Sequence, residues 1–298
     1  MNEKRPKRAI SGWLVLDKPL GMTSTQAVAK VRWLYNAEKA GHAGTLDPLA
    51  TGILPIALGE ATKTVPFVQD GQKRYAFDIA WGAETSTDDA EGDIVETSDV
   101  RPGELAVRAA LPAFTGTILQ RPPAFSAIKI GGERAYDLAR AGEAVELAER
   151  PVTIAELTLV QHGAERSRFE MACEKGTYVR ALARDLARAL GTRGHVVQLR
   201  RTAVGGFGKK DAVLLPAIEA ASDRDGILLP LSIALIRLPE FRLGADDAAT
   251  IRNGGAVLLR GAGAPVAVDA AWVSFAGGAI AIGHVERGQF HPTRVLRV

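Results

Sequence analysis

The chain has 298 residues; 37 Lys and Arg against 34 Asp and Glu leave a formal net charge of +3, with 47% hydrophobic residues and one Cys. A globular chain of that length buries a sizeable core without staples, and the lone Cys173 excludes an intrachain disulfide and a cysteine-rich metal site. The longest uncharged stretch, residues 270–285, is shorter than a membrane span, and too few apolar residues follow the basic start Lys4 to Arg8 for a signal peptide, so a cytoplasmic protein is expected.

In chain order, residues 12–16 read as a strand that enters Asp17-Lys18-Pro19 and turns at Gly21. Thr23 followed by Gln26 is a capping box, which predicts an amphipathic helix with Val28, Val31 and Tyr35 on one face. Residues 53–58 form an apolar run, and Pro55 inside it predicts an edge or bulged strand. Residues 73–81 alternate, Tyr75, Phe77, Ile79 and Trp81 against Arg74, Ala76, Asp78 and Ala80, the pattern of a half-buried strand. Further strands are predicted at 154–160, 168–173 and 195–204, and helices near 104–110 and 134–140. Such mixing without strict alternation predicts an α+β fold with much antiparallel pairing. Short apolar runs punctuated by Gly after Pro239 predict a small all-β, barrel-like module over 239–298, and residues 1–11 read as a disordered basic arm.

Charge is uneven along the chain. Residues 84–104 carry Asp88, Asp89, Glu91, Asp93, Glu96 and Asp99 opposed only by Arg101, whereas 175–201 carry Arg180, Arg184, Arg188, Arg193 and Arg200 opposed only by Asp185. One reading is two faces of opposite sign, one of which attracts a polyanion; the other is two merely solvated faces. Between 177 and 190, Val179, Leu182, Leu186 and Leu190 follow helical spacing, while Arg180, Arg184 and Arg188 recur every fourth residue on another face. Arginines stacked in this way suit phosphates or a buried carboxylate.

The densest unusual segment is Gly41-His42-Ala43-Gly44-Thr45-Leu46-Asp47-Pro48-Leu49-Ala50-Thr51-Gly52. Its Gly residues and Pro around one His and one Asp describe a loop of specified backbone. Pro48 pushes Asp47 toward an extended conformation and fixes the direction of its carboxylate, although an Asx-turn in a structural loop accounts for Asp47 as well. No Gly-Lys-Ser or Gly-Lys-Thr follows, the five His are scattered, and no Gly-x-Ser-x-Gly turn occurs, which disfavours a P-loop, a metal site and a serine nucleophile.

Together with Leu16-Asp17-Lys18-Pro19, Lys73-Arg74-Tyr75, Lys175-Gly176-Thr177-Tyr178-Val179-Arg180 and Leu199-Arg200-Arg201, this loop closely resembles the TruB family of tRNA pseudouridine synthases. The resemblance runs from about Gly12 to the end of the chain, with the motifs in the same order. It implies a pseudouridine synthase catalytic domain over 12–238 and isomerisation of uridine 55 in the T-loop of tRNA. By the same match Asp47 is the catalytic aspartate and Arg180 its partner, while His42, Tyr75, Tyr178 and Leu199 contact or make room for a flipped nucleotide. Residues 121–150, with Arg121-Pro122-Pro123, Lys129, Gly131-Gly132, Arg134, Tyr136 and Arg140, resemble the family's RNA-contacting insertion. Residues 239–298, with Ile251-Arg252-Asn253-Gly254-Gly255, resemble a short PUA domain.

The chemistry suits these residue types. Making pseudouridine breaks the N1–C1′ bond, turns the base over and joins C5 to C1′; nothing is oxidised or lost, so neither cofactor nor metal is expected. A carboxylate can attack the ribose or the uracil ring, or remove a ribose proton. Away from water it needs a neighbouring cation to stay ionised, the task the resemblance gives Arg180. Flipping the base costs a few kcal/mol and aromatic stacking returns ~1–3 kcal/mol, which makes Tyr75 the expected platform. Without the resemblance Tyr75 and Leu199 read as core, His42 as a turn histidine and Tyr178 as helix packing. The expected partner is tRNA, bound by a monomer with no obligate protein partner, and Arg184 and Arg188 are candidate phosphate contacts. Rival readings are a guide-RNA-dependent pseudouridine synthase, a tRNA-folding chaperone, and a glycosidase using Asp47 and Asp17.

Overall fold

The computed structural model describes residues 6–126, 128–130, 133–134, 147–261 and 263–297. They fall into two compact units, one of residues 1–46, 53–70 and 205–298 and the other of residues 47–52 and 71–204. The fold is α+β with largely antiparallel pairing, as the mixture of elements predicts.

The second unit is built on the strand Lys73–Trp81, which pairs antiparallel with Gly194–Val204 on one side and Arg166–Cys173 on the other. The ladder continues to Arg150–His162 and then Gly116–Gln120. The predicted alternation buries Phe77, Ile79 and Trp81, and Phe169 stacks on Phe77 with ring centroids 5.5 Å apart. Asp78, on the face expected to meet solvent, is buried too, because Arg168 folds over it and donates from Nε at 2.8 Å. The helix Val179–Ala189 lies against Gly194–Val204. Gly194 permits this approach, since a Cβ there would stand 2.9 Å from the Ala187 Cβ. Residues 50–52, the start of the strand Ala50–Leu58, pair parallel with Leu199 to Arg201. Gly52 has φ +98° and a Cβ on it would lie 2.2 Å from the Arg201 carbonyl oxygen, so this close parallel contact requires glycine.

In the first unit the capping box of Thr23 and Gln26 opens the helix Ser24–Tyr35, which buries Ala27, Val31 and Tyr35; Val28, predicted for that face, is only half-buried. Pro55 does not lie in an edge strand: its strand runs between Gly12–Lys18 and the short strand Ala40–His42. The Pro55 carbonyl accepts from the Ala43 N–H at 2.9 Å, just past the last registered pair His42–Ile56, so the missing donor falls where the short partner strand has ended. The expected disordered arm is held from Pro6 onward. The Arg8 N–H donates to the Asn36 carbonyl at 2.8 Å and the Arg8 guanidinium pairs with Asp225, while residues 1–5 lie outside the described residues.

The last part of this unit is a five-stranded sheet in the order Glu240–Arg242, Val268–Phe275, Gly278–Glu286, Gln289–Val295, Val257–Leu258. It has its own core, including Ile251, Val273, Val285 and Phe290. The module is not all-β, because the helix Ala245–Arg252 supplies Ile251 to that core. Of the other predicted elements, the helix Glu104–Ala110 is present, and the helix expected over 134–140 lies outside the described residues from 135 on. Among the described residues no helix is long and apolar enough to cross a membrane.

Candidate active site

Asp47 opens a tight turn in which the Ala50 N–H donates to the Asp47 carbonyl at 3.0 Å, with Pro48 at the second position where its fixed φ is favoured. The residue before it is fixed as well: the Ser24 hydroxyl accepts from the Leu46 N–H at 2.8 Å and donates to the Leu46 carbonyl at 3.0 Å. The Asp47 carboxylate reaches Arg180, whose Nη2 stands 3.0 Å from Oδ2. The Asp47 side chain is 38% exposed and that of Arg180 only 6%, so an accessible carboxylate rests on a buried cation.

Arg180 is held from several directions. Its Nη1 donates to the Thr87 carbonyl at 3.0 Å, its Nη2 to the Phe125 carbonyl at 2.9 Å, and its Nε lies 3.6 Å from Asp89 Oδ2. Asp89 is fixed in turn by the Glu91 N–H, which donates to Oδ1 at 3.0 Å, and by the Thr87 hydroxyl. A guanidinium whose donors are already committed is oriented before any substrate arrives.

Tyr75 is 9% exposed, and its cross-strand partner Arg201 is buried with it. Burial pushes the Tyr75 hydroxyl above its ordinary pKa and pulls Arg201 below its own; the two share a hydrogen bond, and the Asp47 charge acts on both. The phenol therefore stays protonated near neutrality.

Tyr178 precedes the helix Val179–Ala189 in an extended conformation and is half-buried. Leu199 is buried on its strand, registered with Ala50 and Phe77. His42 ends the strand Ala40–His42 in the first unit and is half-buried. Of the expected insertion, Gly131, Gly132, Tyr136 and Arg140 lie outside the described residues, whereas Lys129 and Arg134 belong to a short antiparallel pair of strands.

The candidate phosphate contacts Arg184 and Arg188 are engaged elsewhere. Arg184 Nη1 donates to Asp88 at 2.8 Å, and Arg188 grips both oxygens of Glu84, at 2.9 and 2.6 Å. Arg193 pairs with Glu96. Arg180, Arg184, Arg188 and Arg193 of the basic stretch are thus paired with Asp89, Asp88, Glu84 and Glu96 of the acidic one.

Two residues in this site carry no role in the sequence reading. Asp89 is hidden in an acidic run that looks solvated, and Arg201 behind its neighbour Leu199. Of the two partners that the recurrence of arginine every fourth residue suits, phosphates and a buried carboxylate, the structure shows buried carboxylates against this helix.

The sequence matches the TruB family pseudouridylate synthase N-terminal domain over residues 32–179 and the tRNA pseudouridylate synthase B C-terminal domain over residues 180–235. The second match ends before the C-terminal five-stranded sheet. A tRNA pseudouridine synthase B of Bradyrhizobium diazoefficiens is 55% identical, with 99% of this chain and 88% of that protein covered. One from a Chelativorans species is 56% identical, with 98% of each covered. Among solved structures, a chain from a Cbf5-Nop10-Gar1 complex superposes with a TM-score of 0.74 at 25% identity, covering 99% of this chain and 88% of that one. A chain from an H/ACA RNP bound to a substrate RNA containing 2′-deoxyuridine shares the fold, with a TM-score of 0.75 at 22% identity over 96% of this chain and 85% of that one. The chain belongs to the TruB family of pseudouridine synthases, which are isomerases.

Proposed function

We propose that this protein converts uridine 55 in the T-loop of tRNA to pseudouridine, with Asp47 as the catalytic carboxylate. The observation that carries the reading is the Asp47 carboxylate, over a third exposed, set 3.0 Å from the buried Arg180 guanidinium. In the reaction the N1–C1′ bond breaks, the base turns over, C5 joins C1′, and the proton lost from C5 is balanced by one gained at N1. Asp47 acts on the ribose or the uracil ring, and Arg180 pairs with it and keeps it aimed. Tyr75 stacks on the flipped base, Leu199 and Tyr178 wall the pocket, and His42 fills the space the base leaves. What supports tRNA as substrate is the name shared by relatives at 55 and 56% identity over nearly the whole chain.

The test is to incubate the protein with an unmodified tRNA transcript and map pseudouridine, with Asp47→Asn beside it. Pseudouridine at position 55 with the wild type and none with Asp47→Asn is the expected result. Appreciable turnover by Asp47→Asn removes the carboxylate role; release of free uracil means a glycosidase; dependence on an added guide RNA means the guided class. If the variant still restores tRNA folding in a cell lacking the protein, chaperone action is the principal role.

A further inference from the structure

Tyr178 is gripped by two residues that face each other across neighbouring strands. Gln120 ends Gly116–Gln120 and Arg150 begins Arg150–His162, and the two are registered partners at the last rung before the intervening segment 121–149. The Gln120 side-chain amide is fully buried and treats Tyr178 as a strand treats its neighbour: Oε1 accepts from the Tyr178 N–H at 2.9 Å and Nε2 donates to the Tyr178 carbonyl at 3.1 Å. Arg150 holds the ring, its guanidinium carbon 5.2 Å from the Tyr178 ring centroid, and Nη2 donates to the Gly176 carbonyl at 2.8 Å. Gly176 has φ +88°, a conformation that presents this carbonyl and is rarely open to other residues.

We infer that Gln120 and Arg150 are positioning residues for the reaction, which act by fixing Tyr178, backbone and ring, against the nucleotide pocket. The inference rests on the reading of Tyr178 as part of that pocket. An ordinary helix start leaves its first N–H groups to water or a capping side chain. Here a neutral amide from another element satisfies the N–H and carbonyl of one residue at once, which fixes both its position and the direction in which its ring leaves the chain. The same register point links the helix carrying Arg180 to both ends of the segment 121–149. Arg121 and Phe125 just beyond it accept through their carbonyls from Arg184 Nη2 at 2.8 Å and Arg180 Nη2 at 2.9 Å.

The experiment is a double-mutant cycle of Gln120→Glu and Arg150→Met with Tyr178→Ala, read as single-turnover rate at saturating enzyme and, separately, as tRNA affinity. Gln120→Glu keeps the acceptor and loses the donor without a change of size; Arg150→Met keeps the stem and loses the cation. Each should lower the bound-state rate by about 10–100-fold, the scale of a misplaced catalytic group, with affinity nearly unchanged. In a Tyr178→Ala background each should add almost nothing. Additive losses, or normal rates in folded Gln120→Glu and Arg150→Met proteins, overturn the inference while a damaged Tyr178→Ala enzyme leaves the pocket reading standing. A Tyr178→Ala protein of normal rate overturns both.

Discussion

Arg184 and Asp88 meet at 2.8 Å with their side chains only 10% and 9% exposed. The same helix gives Arg180 to Asp89 and Arg188 to Glu84, so the acidic stretch serves as countercharge to the basic one. Such pairs specify geometry more than they stabilise, since desolvation offsets most of their attraction.

Asp88 should therefore make stability depend on pH. Burial, outweighing the pull of Arg184, pushes its carboxyl from 3.8 up to about 6. An acid that binds its proton more tightly folded than unfolded gives a contribution fully present below about pH 3.8 and lost as pH rises through about 6. Compared with Asp88→Asn, which cannot titrate, the wild type should lose on the order of 2–3 kcal/mol across that window. Urea unfolding of both proteins at several pH values measures the difference, and parallel profiles would show that Asp88 titrates normally.

The paired arginines also change what salt should reveal. Binding of tRNA should weaken linearly on logarithmic axes as salt rises, but Arg184→Gln should leave that slope unchanged, because its donors face Asp88, Asp185 and the Arg121 carbonyl. The cost should appear as stability, about 3–5 kcal/mol for an orphaned buried partner. A slope flattened by one phosphate contact would show that Arg184 reaches RNA after all.

Asp89→Asn should lower turnover by about 10–100-fold with tRNA affinity retained, since Arg180 would keep its carbonyl partners and lose one of its two carboxylates. Single-turnover rates at saturating enzyme check this, and an unchanged rate would reduce Asp89 to a loop brace.

What the sequence disclosed depended on range. The alternation around Tyr75 and the capping box of Thr23 and Gln26 are local patterns; the capping box appears as read, and the alternation holds on the face of Tyr75, Phe77, Ile79 and Trp81. The partnership of 84–96 with 180–193 joins residues far apart in the chain, and each stretch alone looks solvated. Asp78 shows the same limit, for its burial comes from Arg168 on a neighbouring strand. The helix Ala245–Arg252 follows Gly244 with no side-chain cap, so its start carries little local signal. Asp47 and Arg180 were paired through the family motif; spacing alone offered a loop aspartate and a helical arginine.

Gly52→Ala should be the most damaging small change near the site. The added Cβ would meet the Arg201 carbonyl oxygen at 2.2 Å and the residue would keep an unfavourable φ of +98°. Relief requires the strand start to part from Leu199 to Arg201, which displaces the Asp47 turn and the partner of Tyr75 together. Activity should fall by more than 100-fold, on the order expected for ~1 Å misplacement, with a lower melting temperature. A stable, active Gly52→Ala protein would mean that the parallel contact at Gly52 does not set the site's geometry.

A chain ending at Leu238 should keep its chemistry and lose stability. Asp47, Tyr75, Tyr178, Arg180, Leu199 and Arg201 all belong to the second unit, whereas the C-terminal sheet belongs to the first. Within the first unit that sheet is tied to the turn Gly59–Thr64: Lys63 Nζ donates to the Val295 carbonyl at 2.8 Å and the Arg297 N–H to Glu60 at 2.8 Å. Burial by itself would raise the Glu60 pKa, but the Arg297 N–H and the Lys63 ammonium, which donates to Glu60 at 2.6 Å, hold it below its ordinary value, so their contribution is present above that value and lost as pH falls through the lowered one. Truncation removes the Arg297 donor and the Val295 acceptor, so the melting temperature should drop and the stability of the remaining chain should fall off less steeply in acid. Single-turnover assays at saturating enzyme should give a bound-state rate close to that of the full chain. A folded truncated protein that is inactive at saturating enzyme would mean that the C-terminal sheet shapes the site.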